Sequence, residues 1–304
     1  MKNEKKKFVK KGILFSFILI LLISGLNIVY LNIAQTNWEY FQEEKRLDVF
    51  AQENNEVEYF FVGDSHVKQA IIENEIPNSY NFAVGGETFV ESYYRLKDLI
   101  DSNQLNIKNI MLQTDVHVFF KKNESLFEEN LYFEKFLTLK EMSVINNKNL
   151  ISMYIYRYSP IIGLGNMILR VYGNIFDEDT IILDDVELDM KITYFQTDHI
   201  NSNEIEYYFK IISLAETNNI PIILIQYPVA KKYHEELIKQ NIPYRTEYFP
   251  YILSLLDSKN KDLPLLDYYD YFFENPNYFI DSGHLKLKPA KIFSEKVLDD
   301  LQEI

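Results

Sequence analysis

Two apolar patterns alternate along this chain of 304 residues. Short, nearly continuous apolar runs rich in β-branched and aromatic side chains read as strands buried on both faces. Between them lie segments with apolar residues three and four apart, which read as amphipathic helices. The pattern predicts a first strand over Val57–Val62, a helix over His66–Glu75, a second strand over Tyr80–Val84, a helix over Phe89–Asn103 and a third strand over Lys108–Thr114. It resumes with a helix over Asn203–Asn218, a buried strand over Ile220–Tyr227, a helix over Ala230–Gln240, a strand over Leu263–Asp267 and a closing helix over Pro289–Leu301. Such alternation implies an α/β fold, a mainly parallel sheet covered by helices on both faces. Ligands in open sheets of this kind bind beyond the carboxyl ends of the strands. Ser65, Gly86 and Asp115 each follow one predicted strand.

The alternation breaks between about residues 119 and 196, which read as an insertion centred on Leu150–Gly173. Only 12 residues separate Arg157 from Arg170, and Pro160, Gly163 and Gly165 lie among them. That is too short and too broken for a membrane-spanning helix. A buried helical hairpin is the plainer reading of this stretch, and a lid or a surface resting on a membrane or an integral partner is the sharper one.

The N-terminus is a separate object. Lys2, Lys5, Lys6, Lys7, Lys10 and Lys11 precede an uncharged, mainly apolar run from Gly12 to Gln35. A bilayer needs about 20 such residues, whereas the apolar core of a cleaved signal peptide is usually about 7–15. The best approach to a cleavage site, at Ala34, has Asn32 where a small residue is usual. We therefore expect an uncleaved single-pass anchor over residues 1–35, a juxtamembrane linker over 36–56 and an α/β domain over 57–304. Lysines on one side only place the N-terminus in the cytoplasm and the domain outside the cell.

Composition narrows the chemistry. Absent cysteine excludes disulfides, thiolate nucleophiles and thiolate metal sites in this chain. The chain carries −14, and the basic tail contributes +5 of its own, so the remainder carries −19. That acidity argues against nucleic acid as a partner.

Two short segments carry candidate chemistry, Gly63-Asp64-Ser65 near the start and Asp281-Ser282-Gly283-His284 near the end. Alone, each has an ordinary explanation as a turn or a helix cap. Together they supply what a serine nucleophile requires: an imidazole to take the hydroxyl proton, and a carboxylate to orient that imidazole. A separation of three lets one turn bring Asp281 to one nitrogen of His284 while the other faces Ser65.

These segments, with Asn81-Phe82-Ala83-Val84-Gly85-Gly86-Glu87-Thr88 between them, resemble the conserved blocks of SGNH (GDSL-type) hydrolases over roughly Val57–Leu301. The resemblance implies a three-layer, flavodoxin-like α/β/α sandwich, a Ser65–His284–Asp281 triad and an oxyanion hole built from the Ser65 and Gly86 backbone N–H groups. It departs where a Gly-x-Asn-Asp block is expected, since Leu112-Gln113-Thr114-Asp115 stands there. Thr114 replaces the third oxyanion donor in the simplest alignment, or Gln113 does if the strand end is shifted. Asp115-Val116-His117 resembles a second carboxylate-histidine pair known in alginate-type acetyltransferases, although there the pair precedes the serine; Asp115 otherwise reads as a polar residue that shapes the site. His66 is expected to point away if it begins the helix, and His199 and His234 have no partner at ligand spacing. Five scattered histidines make no recognisable metal site, so none is expected, and no cofactor is implied.

With its anchor, the Gln226-Tyr227-Pro228-Val229 segment and the Tyr-rich run before Asp281, the chain is most similar to cell-envelope acyltransferases, such as the D-alanyl transfer protein of teichoic acid synthesis and polysaccharide O-acetyltransferases. That implies a multi-pass acyl-exporting partner in the membrane and a glycan or teichoic-type polymer as acceptor. A surface esterase with the same triad and a non-catalytic assembly subunit are the alternatives.

Overall fold

The computed structural model describes residues 2–37, 39–120, 130–145, 149–151 and 200–304. They group into two compact units, one drawn from Met1–Gln42 and Phe127–Asp179, the other from Glu43–Leu126 and Thr180–Ile304.

In the first unit, helix α1 (Lys2–Asn37) contains Lys7–Leu26, with mean hydropathy 2.0 and none of it buried. By length and composition that stretch can cross a bilayer. Tyr40, near the start of helix α2 (Glu39–Glu53), is buried against Tyr132, stacked at 5.1 Å, and Phe133, edge-on at 5.0 Å. Residues 39–53 are thus helical where the sequence reads as a linker. Most of the predicted insertion, including Arg157, Arg170 and the centre of Leu150–Gly173, lies outside the described residues, and so does His199.

The second unit is the α/β domain. Its five strands are β1 (Glu56–Val62), β2 (Ser79–Asn81), β3 (Asn106–Gln113), β4 (Ile222–Gln226) and β5 (Leu265–Asp267). All neighbours pair in parallel, in the order β2-β1-β3-β4-β5. This is the flavodoxin-like doubly wound order, with its switch point between β1 and β3. Helices α3 (Ser65–Ala70) and α8 (Leu287–Leu301) cover one face, burying Phe61, Met111, Ile223 and Ile225 beneath Val67, Ala70, Phe293 and Val297. On the other, Phe60 packs on Tyr80 and Phe82, Arg95 of α4 (Phe89–Ser102) lies over the Phe82 ring, and Phe89 meets Tyr208 of α5 (Ser202–Thr217). Helices α6 (Lys231–Lys239) and α7 (Phe249–Ser258) complete the domain.

Helix α3 is shorter than the apolar spacing predicts. Ile71 and Ile72 are extended, with φ near −100°, and the Ile72 N–H donates to Ser294 Oγ of α8 at 2.8 Å instead of continuing the helix. β-Branched side chains favour the extended backbone, and the bond from α8 settles it. A single 3₁₀ turn, Glu73–Glu75, follows. The effect is to end α3 at Ala70, so that the helix carrying Ser65 is short.

Candidate active site

The chain leaves β1 through Gly63, where an added Cβ would stand 2.4 Å from both Gln113 Oε1 and Val67 Cγ2. Only glycine lets the backbone pass this close. Asp64 then caps α3, its Oδ1 accepting the His66 N–H at 2.9 Å, while its own N–H donates to Gln113 Oε1 at 2.8 Å. Ser65 is the first residue of the helix.

From the far end of the chain, the loop before α8 is clamped by the Ile280 N–H on the His284 carbonyl and by the Ala230 N–H on the Ser282 carbonyl, at 2.7 and 2.9 Å. Asp281 Oδ1 accepts the Gly283 and His284 N–H groups, both at 2.9 Å, and Oδ2 lies 2.5 Å from His284 Nδ1. His284 Nε2 is 2.8 Å from Ser65 Oγ. A carboxylate only accepts, so Nδ1 carries the ring proton and Nε2 presents its lone pair to the serine hydroxyl. The structure therefore brings Ser65, His284 and Asp281 into one hydrogen-bonded line.

Gly86 sits at the tip of an exposed turn with φ +74°, the left-handed region that favours glycine. Nothing lies within 4 Å of where its Cβ would be, so conformation rather than space selects the residue. The Val84 N–H donates to the Gly63 carbonyl at 3.4 Å, which sets this turn beside the one bearing Ser65. Behind it, Arg95 donates to Glu87 Oε1 at 2.6 Å in a buried contact, and also to the Phe82 carbonyl. Burial pushes the Glu87 carboxyl up to about 8, against the pull of Arg95.

The remaining expectations fare differently. Thr114 is fully buried; its N–H donates to the Ile225 carbonyl and its hydroxyl accepts from Tyr208 Oη at 3.1 Å. At a central strand end, Thr114 is thereby joined to the sheet and to the core beneath α5. Gln113, the alternative third donor, is tied to carboxylates. Its Nε2 donates to Asp64 Oδ1 at 2.9 Å and to Asp115 Oδ2 at 2.6 Å, so it is a girder between two buried carboxylates.

The expected Asp115–His117 pair is exchanged. His117 Nε2 lies 2.8 Å from Asp64 Oδ2, whereas Asp115 faces His66 Nδ1 at 3.4 Å and accepts the Tyr227 N–H. His66 does not point away: its ring packs 4.2 Å from that of His117 and 5.2 Å, edge-on, from that of His284. Helical side chains lean toward the N-terminus of their helix, and in a first turn this carries the ring into the capping loops. Burial lowers the proton affinity of His66, but attraction to Asp115, Asp64 and Asp281 outweighs it and the net shift is upward. His234 stands apart, 3.1 Å from Tyr269 Oη, and burial with Arg245 nearby lowers its pKa. Spacing gave no metal pattern, yet folding gathers one donor atom each from Asp64, His66 and His117 within 4.8 Å of one another.

No family model matches this chain. No curated protein matches it either. Among solved structures it is similar to one described as a platelet activating factor from Streptococcus pneumonia, with 14% identity over 88% of this chain and 95% of that one and a TM-score of 0.39. It is also similar to a GDSL-like lipase from Bacteroides thetaiotaomicron VPI-5482, with 11% identity over 85% of this chain and 96% of that one and a TM-score of 0.41.

Proposed function

We propose that the chain is a membrane-anchored, extracytoplasmic serine acyltransferase that moves an acyl group, acetyl or D-alanyl, to hydroxyls of a cell-envelope polymer. The observation that carries this reading is the Ser65–His284–Asp281 line, with contacts of 2.8 and 2.5 Å. His284 Nε2 takes the Ser65 proton as Oγ attacks the donor carbonyl, and the negative oxygen that forms is met by the Ser65 and Gly86 N–H groups. The bond to the leaving group breaks, His284 returns the proton to it, and Ser65 is left acylated. An acceptor hydroxyl then repeats the sequence in reverse, losing its proton to His284 and releasing Ser65.

The apolar stretch Lys7–Leu26 supports the anchor. A tether raises the enzyme's effective concentration at membrane-linked substrates and does little for a diffusible ester. The resemblance to cell-envelope acyltransferases implies a multi-pass acyl-exporting protein as donor and a glycan or teichoic-type polymer as acceptor. Water in place of the acceptor would make the protein a surface esterase.

Detergent-solubilised chain supplied with an aryl acetate should release the phenol, and with a methyl glycoside present the acetyl group should appear on sugar hydroxyls. Asp281→Asn should lower turnover about 10⁴-fold, since the imidazole then loses the partner that fixes its tautomer. Free acetate with no acylated sugar at any glycoside concentration favours the esterase. Phenol release unchanged in Ser65→Ala rejects both enzymes.

A further inference from the structure

We infer that Asp64, His66 and His117 form a binding site for a late first-row divalent cation, zinc or cobalt in its coordination chemistry, beside Ser65 and separate from the Ser65–His284–Asp281 line. Each of the three offers a ligand atom within 4.8 Å of the other two. Two imidazoles and one carboxylate are a donor set that zinc takes in sites that keep an open fourth position.

Three further observations point the same way. His66 Nδ1 is buried and makes no hydrogen bond, although Asp115 Oδ2 lies 3.4 Å away. A buried polar atom left in that state is costly, and coordination would satisfy it. Asp64 and Asp115 are both 1% exposed, and the ion pairs they make here are with His117 and His66. A divalent ion would offset this buried negative charge. Gln113 Nε2, bonded to both carboxylates, supplies the outer hydrogen bonds that hold metal ligands in place.

The cluster needs only local adjustment. A tetrahedral ion with bonds of about 2.0–2.1 Å wants its donors roughly 3.4 Å apart, and His117 Nε2 and Asp64 Oδ2 now stand at 2.8 Å. The hydrogen between them moves to Nδ1 of His117, leaving Nε2 to the metal, and small ring rotations turn the two imidazoles toward a common point. Because the His66 ring lies edge-on to His284, an ion here would also fix the wall against which His284 rests.

The test uses the full chain in detergent carrying Ser65→Ala, stripped with a chelator, so that its outcome is independent of the catalytic reading. Titrated with Co²⁺, it should take one equivalent and develop the intense visible absorption of four- or five-coordinate cobalt, which one equivalent of Zn²⁺ should bleach. His66→Ala and His117→Ala should each lose this stoichiometric binding, and His284→Ala should retain it. Should an alanine variant fail to fold by circular dichroism, His66→Gln or His117→Gln replaces it. The inference is overturned if the chain takes up no stoichiometric ion, if the cobalt spectrum survives in His117→Ala, or if His284→Ala alone removes it.

Discussion

An added methyl group at Gly283 would stand 2.3 Å from His66 Nε2 and 2.4 Å from Cε1. The backbone there is not left-handed, so glycine is required by the imidazole that leans on it. Gly283→Ala should therefore destabilise the fold by about 1–3 kcal/mol, the usual range for overpacking. His66→Ala in the same chain should recover part of that loss, a coupling that urea denaturation of the two single variants and the double variant would measure. Strictly additive effects would mean that the ring does not rest on Gly283. The meeting of Ser65, His284 and Asp281 was legible in the sequence, because Gly63-Asp64-Ser65 follows a strand-like run and a separation of three sets Asp281 beside His284. The exchange of partners between Asp64 and Asp115 was not, since residues at neighbouring strand ends are set side by side only by the register Val62–Leu112. The surroundings of Thr114 were hidden for the same reason: they depend on the strand end at Gln113 and on Tyr208, which lies 94 residues away.

Parallel strands buried on both faces announce themselves as unbroken apolar runs, which is why β1, β3 and β4 were legible to within two residues at either end. Helix α2 was hidden because the stripe it buries, Tyr40, Glu43 and Leu47, contains a glutamate. Glu43 is inside only because Tyr80 Oη donates to it at 2.7 Å and Arg46 pairs with it at 2.8 Å, both invisible in a hydrophobicity pattern. The sequence pattern assigns no element to residues 249–258, where α7 forms; Pro250 sits in its first turn, where proline is tolerated. The turn between β2 and α4 is held from behind by Glu87, and that carries a pH dependence. Its folded pKa of about 8 lies above the ordinary 4.5, so the unfolded chain releases this proton first as pH rises. The group's contribution to stability is complete below about 4.5 and is lost as pH climbs toward 8. Relative to Glu87→Gln, the wild-type chain should lose stability across that window and run parallel above it. A difference between the two that is flat from pH 5 to 8 would mean that Arg95 keeps Glu87 ionised throughout.

An apolar helix at one end of the chain and a serine-centred site in an acidic α/β domain make a testable arrangement. If α1 is an uncleaved anchor, the full chain should stay in the membrane pellet after alkaline carbonate extraction and retain its N-terminal lysines on mass analysis. Release into the supernatant with a new terminus near residue 35 would identify a cleaved signal instead. Acyl transfer by this chain requires that His284 make Ser65 a nucleophile. The most direct measurement is peptide mass spectrometry of the folded chain after exposure to a fluorophosphonate, with His284→Ala treated in parallel. We expect a phosphonyl adduct on the peptide bearing Ser65, formed rapidly in wild type and slowed by at least about 10³-fold without the imidazole. A folded wild-type chain that gains no adduct, or that gains it elsewhere, would contradict this expectation.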